Sequence, residues 1–210
     1  MIKTMYGISP HDSVNEPFVL RRMSKGKLVV MDEYQDLACK TCRKVNEKAA
    51  LSRGIQEEVV VKSKRPFLPA ADDFYLVDER GKQIFSSVLP DEIDYYRIPS
   101  STFYVASAKV WLQPEESDPA YRFLNGRCAE CDRAREVYWG KLPRVPPTIV
   151  DLKRFVAINL ESMQGARETW FVSKDVADEL RNVSPRLTGM AIVPKEINDG
   201  QDSSHGLQCR

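Results

Sequence analysis

An α+β fold of two similar strand-helix-strand halves is predicted for this 210-residue chain. Three observations predict it. Two stretches, "DFYLVDERGKQIFSSVLPDEIDYYRIP" and "ETWFVSKDVADELRNVSPRLTGMAIVP", share one hydrophobic pattern and align without a gap. Four of the five cysteines form two Cys-x-x-Cys pairs, one ahead of each stretch. The composition, 42% hydrophobic and 29% charged, suits a globular domain.

The elements follow in order. Residues 1–25 show no clear period. "GKLVVMDE" reads as a strand of Leu, Val and Val with a charged exit, and "RKVNEKAALSRG" suits a short helix closed by Gly54. "EEVVVKS" is expected as a strand. Phe74 to Val77 then form a strand that enters a helix with Phe85 and Val88 on one face, which Pro90 stops; "IDYYRIP" returns as a strand. A strand at "TFYVASAKVWL" and a polar loop around Glu115 to Asp118 lead into the second half. "GKLPRVPPTIVD" is an extended, proline-stiffened connector. Trp170 to Val172 form the next strand. Ser173 caps a helix with Val176, Leu180 and Val183 on one face, Pro185 ends it, and "MAIVP" is the closing strand. Val77 and Val172, Val88 and Val183, Pro90 and Pro185, and Pro99 and Pro194 all keep one offset, as an internal duplication would leave them. Residues 1–195 are expected as one domain, with halves at about 26–100 and 120–195. Residues 196–210 are expected as a polar, mobile tail.

The cysteine pairs carry the clearest chemistry. Zinc takes four soft or borderline ligands in a tetrahedron, and one Cys-x-x-Cys turn offers two thiolates. Cys39, Cys42, Cys128 and Cys131 supply the full count for one structural zinc. Lys40, Arg43, Lys44, Arg127 and Arg133 flank them and would offset the negative charge of a tetrathiolate centre. A redox pair and plain structural thiols are the alternatives. His205 and Cys209 belong to the expected tail.

Other chemistry is weakly signalled. The only histidines are His11 and His205, no nucleophile elbow stands near either, and no glycine-rich phosphate loop occurs. No catalytic residue is assigned and no enzyme is expected. Acid pairs such as Asp72/Asp73 have the look of solvated turns. Net charge is +1, which argues against a nucleic-acid binder, whose affinity comes from neutralising phosphates. No run of 18 apolar residues exists to span a membrane, and no apolar leader opens the chain, so a cytoplasmic location is expected.

Two distant Cys-x-x-Cys pairs, each followed by a strand-helix-strand unit, resemble the double-CxxCG-motif family of predatory social bacteria. The ending "ETWFVSKDVADELRNVSPRLTGMAIVPKE" is most similar to that family. Some members are immunity proteins, which protect a cell from a toxin delivered by its siblings. The resemblance therefore implies a non-catalytic inhibitor with a cognate protein toxin as partner. Tyr95, Tyr96, Trp111, Tyr121, Tyr138 and Trp139, with acidic turns at 32–36, 91–94 and 115–118, would offer anchors and charge. The alternative is a zinc-ribbon-like module that binds nucleic acid. The family carries glycine after each pair, where this chain has Arg43 and Asp132. That position often needs a positive φ, which glycine adopts freely.

Overall fold

The computed structural model describes residues 2–10, 16–56, 59–72, 74–99, 101–109, 111–112, 121–139, 156–158, 169–183 and 190–198. His11, Val110, the loop at 115–118, the connector at 140–151, Pro185, His205 and Cys209 lie outside them.

The first expected strand-helix-strand unit is present as β5 (Tyr75–Asp78), α2 (Glu79–Val88) and β6 (Ile93–Arg97). β4 (Phe67–Pro69) and β7 (Phe103–Ala108) complete a four-stranded sheet in the order β4-β5-β7-β6. β5 and β6 are each antiparallel to β7, so they run parallel with β7 between them. The second unit is β12 (Thr169–Val172), α3 (Lys174–Val183) and β13 (Met190–Asn198). Here the strand between the two parallel ones is β1 (Ile2–Pro10), antiparallel to both. β11 (Val156–Ile158) and the short β8 (Trp111–Leu112) extend that sheet to the order β13-β1-β12-β11-β8. So β4-β5-β7-β6 and β11-β12-β1-β13 have the same layout. The interposed strand follows the first unit in the chain, but comes from the distant N-terminal end in the second.

Three expectations need correction. Residues 2–10 are a central strand, although their sequence shows no clear period. Among 57–63, the described residues 59–63 are irregular, and no strand forms there. β13 continues to Asn198, into the segment expected as a tail. The closing strands also align two residues out of step with the gapless alignment. Val105 lies opposite Tyr96, and its counterpart Gly7 lies opposite Val193 rather than Ala191.

Side-chain alternation divides the core into two clusters on the two faces of the four-stranded sheet. Phe67, Tyr75, Val77, Ile93 and Ala106 face α2 and α3. Leu68, Leu76, Phe103 and Val105 face the other way, onto α1 (Glu47–Arg53) and the segment around Val19 and Leu20. Trp170 of β12 is fully buried in the first cluster. Its ring centroid lies 5.6 Å from Phe67, 4.9 Å from Tyr75 and 5.4 Å from Phe85. Contacts of this kind add roughly 0.5–1.5 kcal/mol each beyond burial, and here they fasten one unit to the other. On α3, Val176 and Leu180 are buried, but Val183 is 51% exposed. The apolar face thus ends one turn early.

α2 opens on Asp78, whose carboxylate accepts from the Gly81 N–H at 2.7 Å. Gly81 has a second role. A Cβ there would stand 2.2 Å from the Pro66 carbonyl oxygen, a backbone atom. Gly81→Ala must push α2 off β4, at a cost of about 2 kcal/mol. For a chain of this length, thermal unfolding should record a fall of roughly 4–8 °C.

β2 (Arg21–Ser24) and β3 (Lys27–Val30) form a hairpin through Lys25 and Gly26, both at positive φ, as a two-residue turn of the primed type requires. A 3₁₀ turn (Asp32–Leu37) follows. The chain then makes its first cysteine turn and enters α1 through Asn46, whose side chain accepts from the Ala49 N–H. β9 (Tyr121–Arg127) and β10 (Ala134–Trp139) pair as a separate ribbon with the second cysteine turn at its tip. No described helix is long and apolar enough to cross a membrane.

Candidate metal centre

The two cysteine turns are built alike. In the first, the Cys39 N–H donates to the Lys44 carbonyl (2.9 Å) and the Arg43 N–H to the Cys39 carbonyl (2.8 Å). In the second, the Cys128 N–H donates to the Arg133 carbonyl and the Asp132 N–H to the Cys128 carbonyl, both at 2.8 Å. Each turn is closed by an antiparallel pair, Ala38 with Val45 and Arg127 with Ala134. Arg43 and Asp132, each directly after the second cysteine of its turn, have φ of 61° and 56°. The turn therefore does require the left-handed region, and an arginine and an aspartate are held in it. That conformation costs an L-residue about 1–2 kcal/mol. Arg43→Gly removes the strain and should raise stability by about 0.5–1 kcal/mol, less than the full strain because glycine loses more entropy on folding. Denaturant midpoints of the two proteins check this.

The turns face each other. The Sγ atoms of Cys39 and Cys128 lie 3.6 Å apart, as do those of Cys42 and Cys131. All four lie within 4.8 Å of one another. A tetrahedron with metal–sulfur bonds of about 2.3 Å has edges of about 3.8 Å, so the four sulfurs fit one metal ion. All four residues predicted from the sequence as ligands are thus brought together. Cys128 is buried and the others are partly so.

The surroundings suit thiolates. Backbone N–H groups of Cys131 and Glu130 lower the pKa of Cys128 to about 6. Burial pushes the Cys131 thiol up. Lys44 is half-buried within electrostatic reach of Cys42 and Cys131. The expected ring of cations is only partly realised. The Arg127 guanidinium donates to the Asp132 carbonyl at 2.7 Å and pairs with the Asp132 carboxylate at 3.6 Å, within its own turn.

Two further contacts lock the turns together, and the sequence did not reveal them. Glu130 accepts from the Thr41 N–H (3.1 Å) and hydroxyl (2.7 Å) across the interface. Arg133 donates to the Val45 carbonyl at 2.8 Å. Thr41 and Glu130 occupy the same position in their respective turns, immediately before the second cysteine. That equivalence was the available signal.

The other candidates fall differently. Asp72 is not a solvated turn. It is 2% exposed, and its carboxylate accepts from the N–H groups of Val19, Leu20 and Arg21 at 2.7–3.1 Å. Two acids of the 32–36 turn are in local ion pairs, Asp32 with Arg22 and Asp36 with Arg53. Tyr95 and Tyr96 are half-buried against the core. The side chains of Trp111, Tyr121, Tyr138 and Trp139 lie outside the described part of the structure. Compared with known proteins, the chain matches no family model, no curated protein and no solved structure.

Proposed function

We propose that the chain is a non-catalytic binding protein whose cysteine turns hold one structural zinc. The observation that carries this is the closure of the site. Four thiols within 4.8 Å of one another fill a tetrahedron and leave no position for substrate or water, which is the mark of a structural rather than a catalytic zinc. The ligands would be Cys39, Cys42, Cys128 and Cys131. Zinc binding would release the thiol protons and set the ribbon tip against the segment ahead of α1. We also infer that the two units arose by duplication. The shared strand layout and the matched cysteine turns support this, with β1 taking the part in the second sheet that β7 takes in the first.

The resemblance to the double-CxxCG-motif family extends the proposal to an immunity-type inhibitor of a bacterial toxin. Its test is direct. A toxin encoded beside this gene, produced alone and then with this protein, should stop growth in the first case and not in the second, and the two proteins should co-purify. Growth arrest that persists with full expression of both sinks the immunity role.

The nucleic-acid alternative would need an open basic face around the turns. Here Arg21 pairs with Glu47, Arg22 with Asp32, Arg53 with Asp36, Lys109 with Asp94 and Arg127 with Asp132. Those carboxylates offset much of the local positive charge, which favours the protein-binding role.

A further inference from the structure

A cavity of about 480 Å³ lies between the cysteine turns, α1 and the β6–β7 end of the four-stranded sheet. Native interiors hold few voids larger than a water molecule, whereas ligand pockets span roughly 300–1,000 Å³. The sheet pattern accounts for its position. On the face toward α1, β7 presents Phe103, Val105 and then Ser107, and β6 presents Asp94 and then Tyr96. Phe103 and Val105 are covered by the second core cluster. Asp94 and Ser107 stand opposite each other in the ladder, are polar, and border the cavity instead. Ser107 is only 7% exposed, and its hydroxyl meets no partner among the described residues.

The walls divide by chemistry. Val45, Leu51 and Phe74, each at most 5% exposed, and the half-buried Tyr96 make an apolar, partly aromatic floor. The rim is cationic. Of the five basic residues that border the cavity, Arg21 pairs with Glu47 at 3.1 Å and Lys109 with Asp94 at 3.7 Å. Those are the only two acids among the described residues of its walls. Lys44 feels Glu47 and the cysteines Cys42 and Cys131, whereas Lys48 and Arg133 meet no carboxylate among the described residues. Arg133 is held in place by its bond to the Val45 carbonyl. Lys44 also serves the thiolates, so Lys48 and Arg133 carry most of the charge offered to the cavity. Lys48 is exposed and marks the mouth.

We propose that this cavity is a binding site for a small organic anion: a planar ring system resting on Phe74 and Tyr96, with one anionic group at Lys48 and Arg133 and a polar ring atom at the Ser107 hydroxyl. A purely apolar ligand would leave the cationic rim unused, and a small inorganic anion would leave the floor unfilled. The site adjoins the metal centre but uses none of its four thiols, and it does not depend on the immunity role. A nucleoside monophosphate and an aryl carboxylate both have the required chemistry.

The test uses the full chain as purified, titrated with the fluorescent aryl sulfonate 1-anilinonaphthalene-8-sulfonate. One saturable site is expected. The uncharged analogue N-phenyl-1-naphthylamine should bind about tenfold or more weakly, because a charge-assisted hydrogen bond is lost. Lys48→Glu should weaken the sulfonate by a similar factor, and Ser107→Phe should fill the cavity and abolish binding. Thermal unfolding of each variant verifies its fold. Should Ser107→Phe fail to fold, Lys48→Glu at an exposed position still decides. Displacement by adenosine monophosphate or by 1-naphthoate then identifies the anionic group. Absence of saturation, equal affinity for the uncharged analogue, unchanged affinity in Lys48→Glu, or displacement by neither competitor would overturn the proposal.

Discussion

Removing the metal is expected to detach the β9–β10 ribbon and to lower the melting temperature by about 5–11 °C. The reason lies in how the ribbon is held. Among the described residues, β9 and β10 form ladder hydrogen bonds only with each other. A lone two-stranded hairpin is marginal in water. At its tip, three attachments reach the rest of the protein: the four-sulfur cluster, the Glu130–Thr41 bonds and the Arg133–Val45 bond. The two hydrogen-bonded attachments involve partly exposed groups and are worth about 1 kcal/mol each. A metal bound at a hundred times its dissociation constant contributes about 2.7 kcal/mol, and each kcal/mol moves the midpoint of a chain of this length by about 2–4 °C. The measurement is elemental analysis with thermal unfolding, on the parent and on Cys128→Ser/Cys131→Ser. About one zinc per chain in the parent and none in the variant is expected. Hydrogen exchange should show loss of protection in residues 121–139, while α2 and α3 stay protected. A metal-free parent with the same melting temperature as the variant would remove the clamp, and the cysteines would need another explanation.

Asp72→Ala should be the most damaging single substitution outside the cysteines and the aromatic core, at about 3 kcal/mol or more. Its carboxylate holds the N–H groups of three successive residues, Val19, Leu20 and Arg21. Val19 and Leu20 are fully buried, so their amides have no route to water unless the segment leaves the core. Each buried donor left unmade costs roughly 1–3 kcal/mol. Burial raises the pKa of Asp72, while the N–H groups of Leu20 and Val19, and then Arg21, pull it down. Asp72→Asn keeps an acceptor oxygen without the charge and should recover part of the loss. The expected order in urea unfolding is parent, then Asn, then Ala. Equal midpoints for the Ala and parent proteins would mean that these bonds are not needed to hold the N-terminal segment.

Some of this protein was legible in the chain because the signals are local. Helix α1 announces itself through its closing Gly54, α2 through Phe85 and Val88 on one face, and α3 through its Ser173 cap and apolar residues one turn apart; the caps at Asn46 and Asp78 came with the structure. The paired cysteines announce a metal site through ligand type and spacing. Where local and global requirements diverge, the sequence misled. "EEVVVKS" has the composition of a strand, but it finds no partner among the described residues, and Val59 is buried while Val60 is 63% exposed. Asp72, in a run of small and acidic residues, has the composition of a solvated turn; its amide partners lie more than fifty residues earlier, and no local pattern encodes that.

The sequence by itself determined a mixed fold of strands and helices, the strand-helix-strand stretches at 75–97 and 169–198 and the four thiols able to share one ion, because each depends on periodicity or on residue type over a few neighbours. Only the tertiary structure decided that residues 2–10 fill the middle of the second sheet, that Trp170 joins the two units in one core, and that Glu130 and Arg133 brace the cysteine turns. It also decided that Arg43 and Asp132 are held at positive φ where glycine would rest unstrained. These are properties of surfaces that meet across long loops. Such contacts form only once the chain has met their closure entropy, and the residues making them carry no mark of the partner they will find.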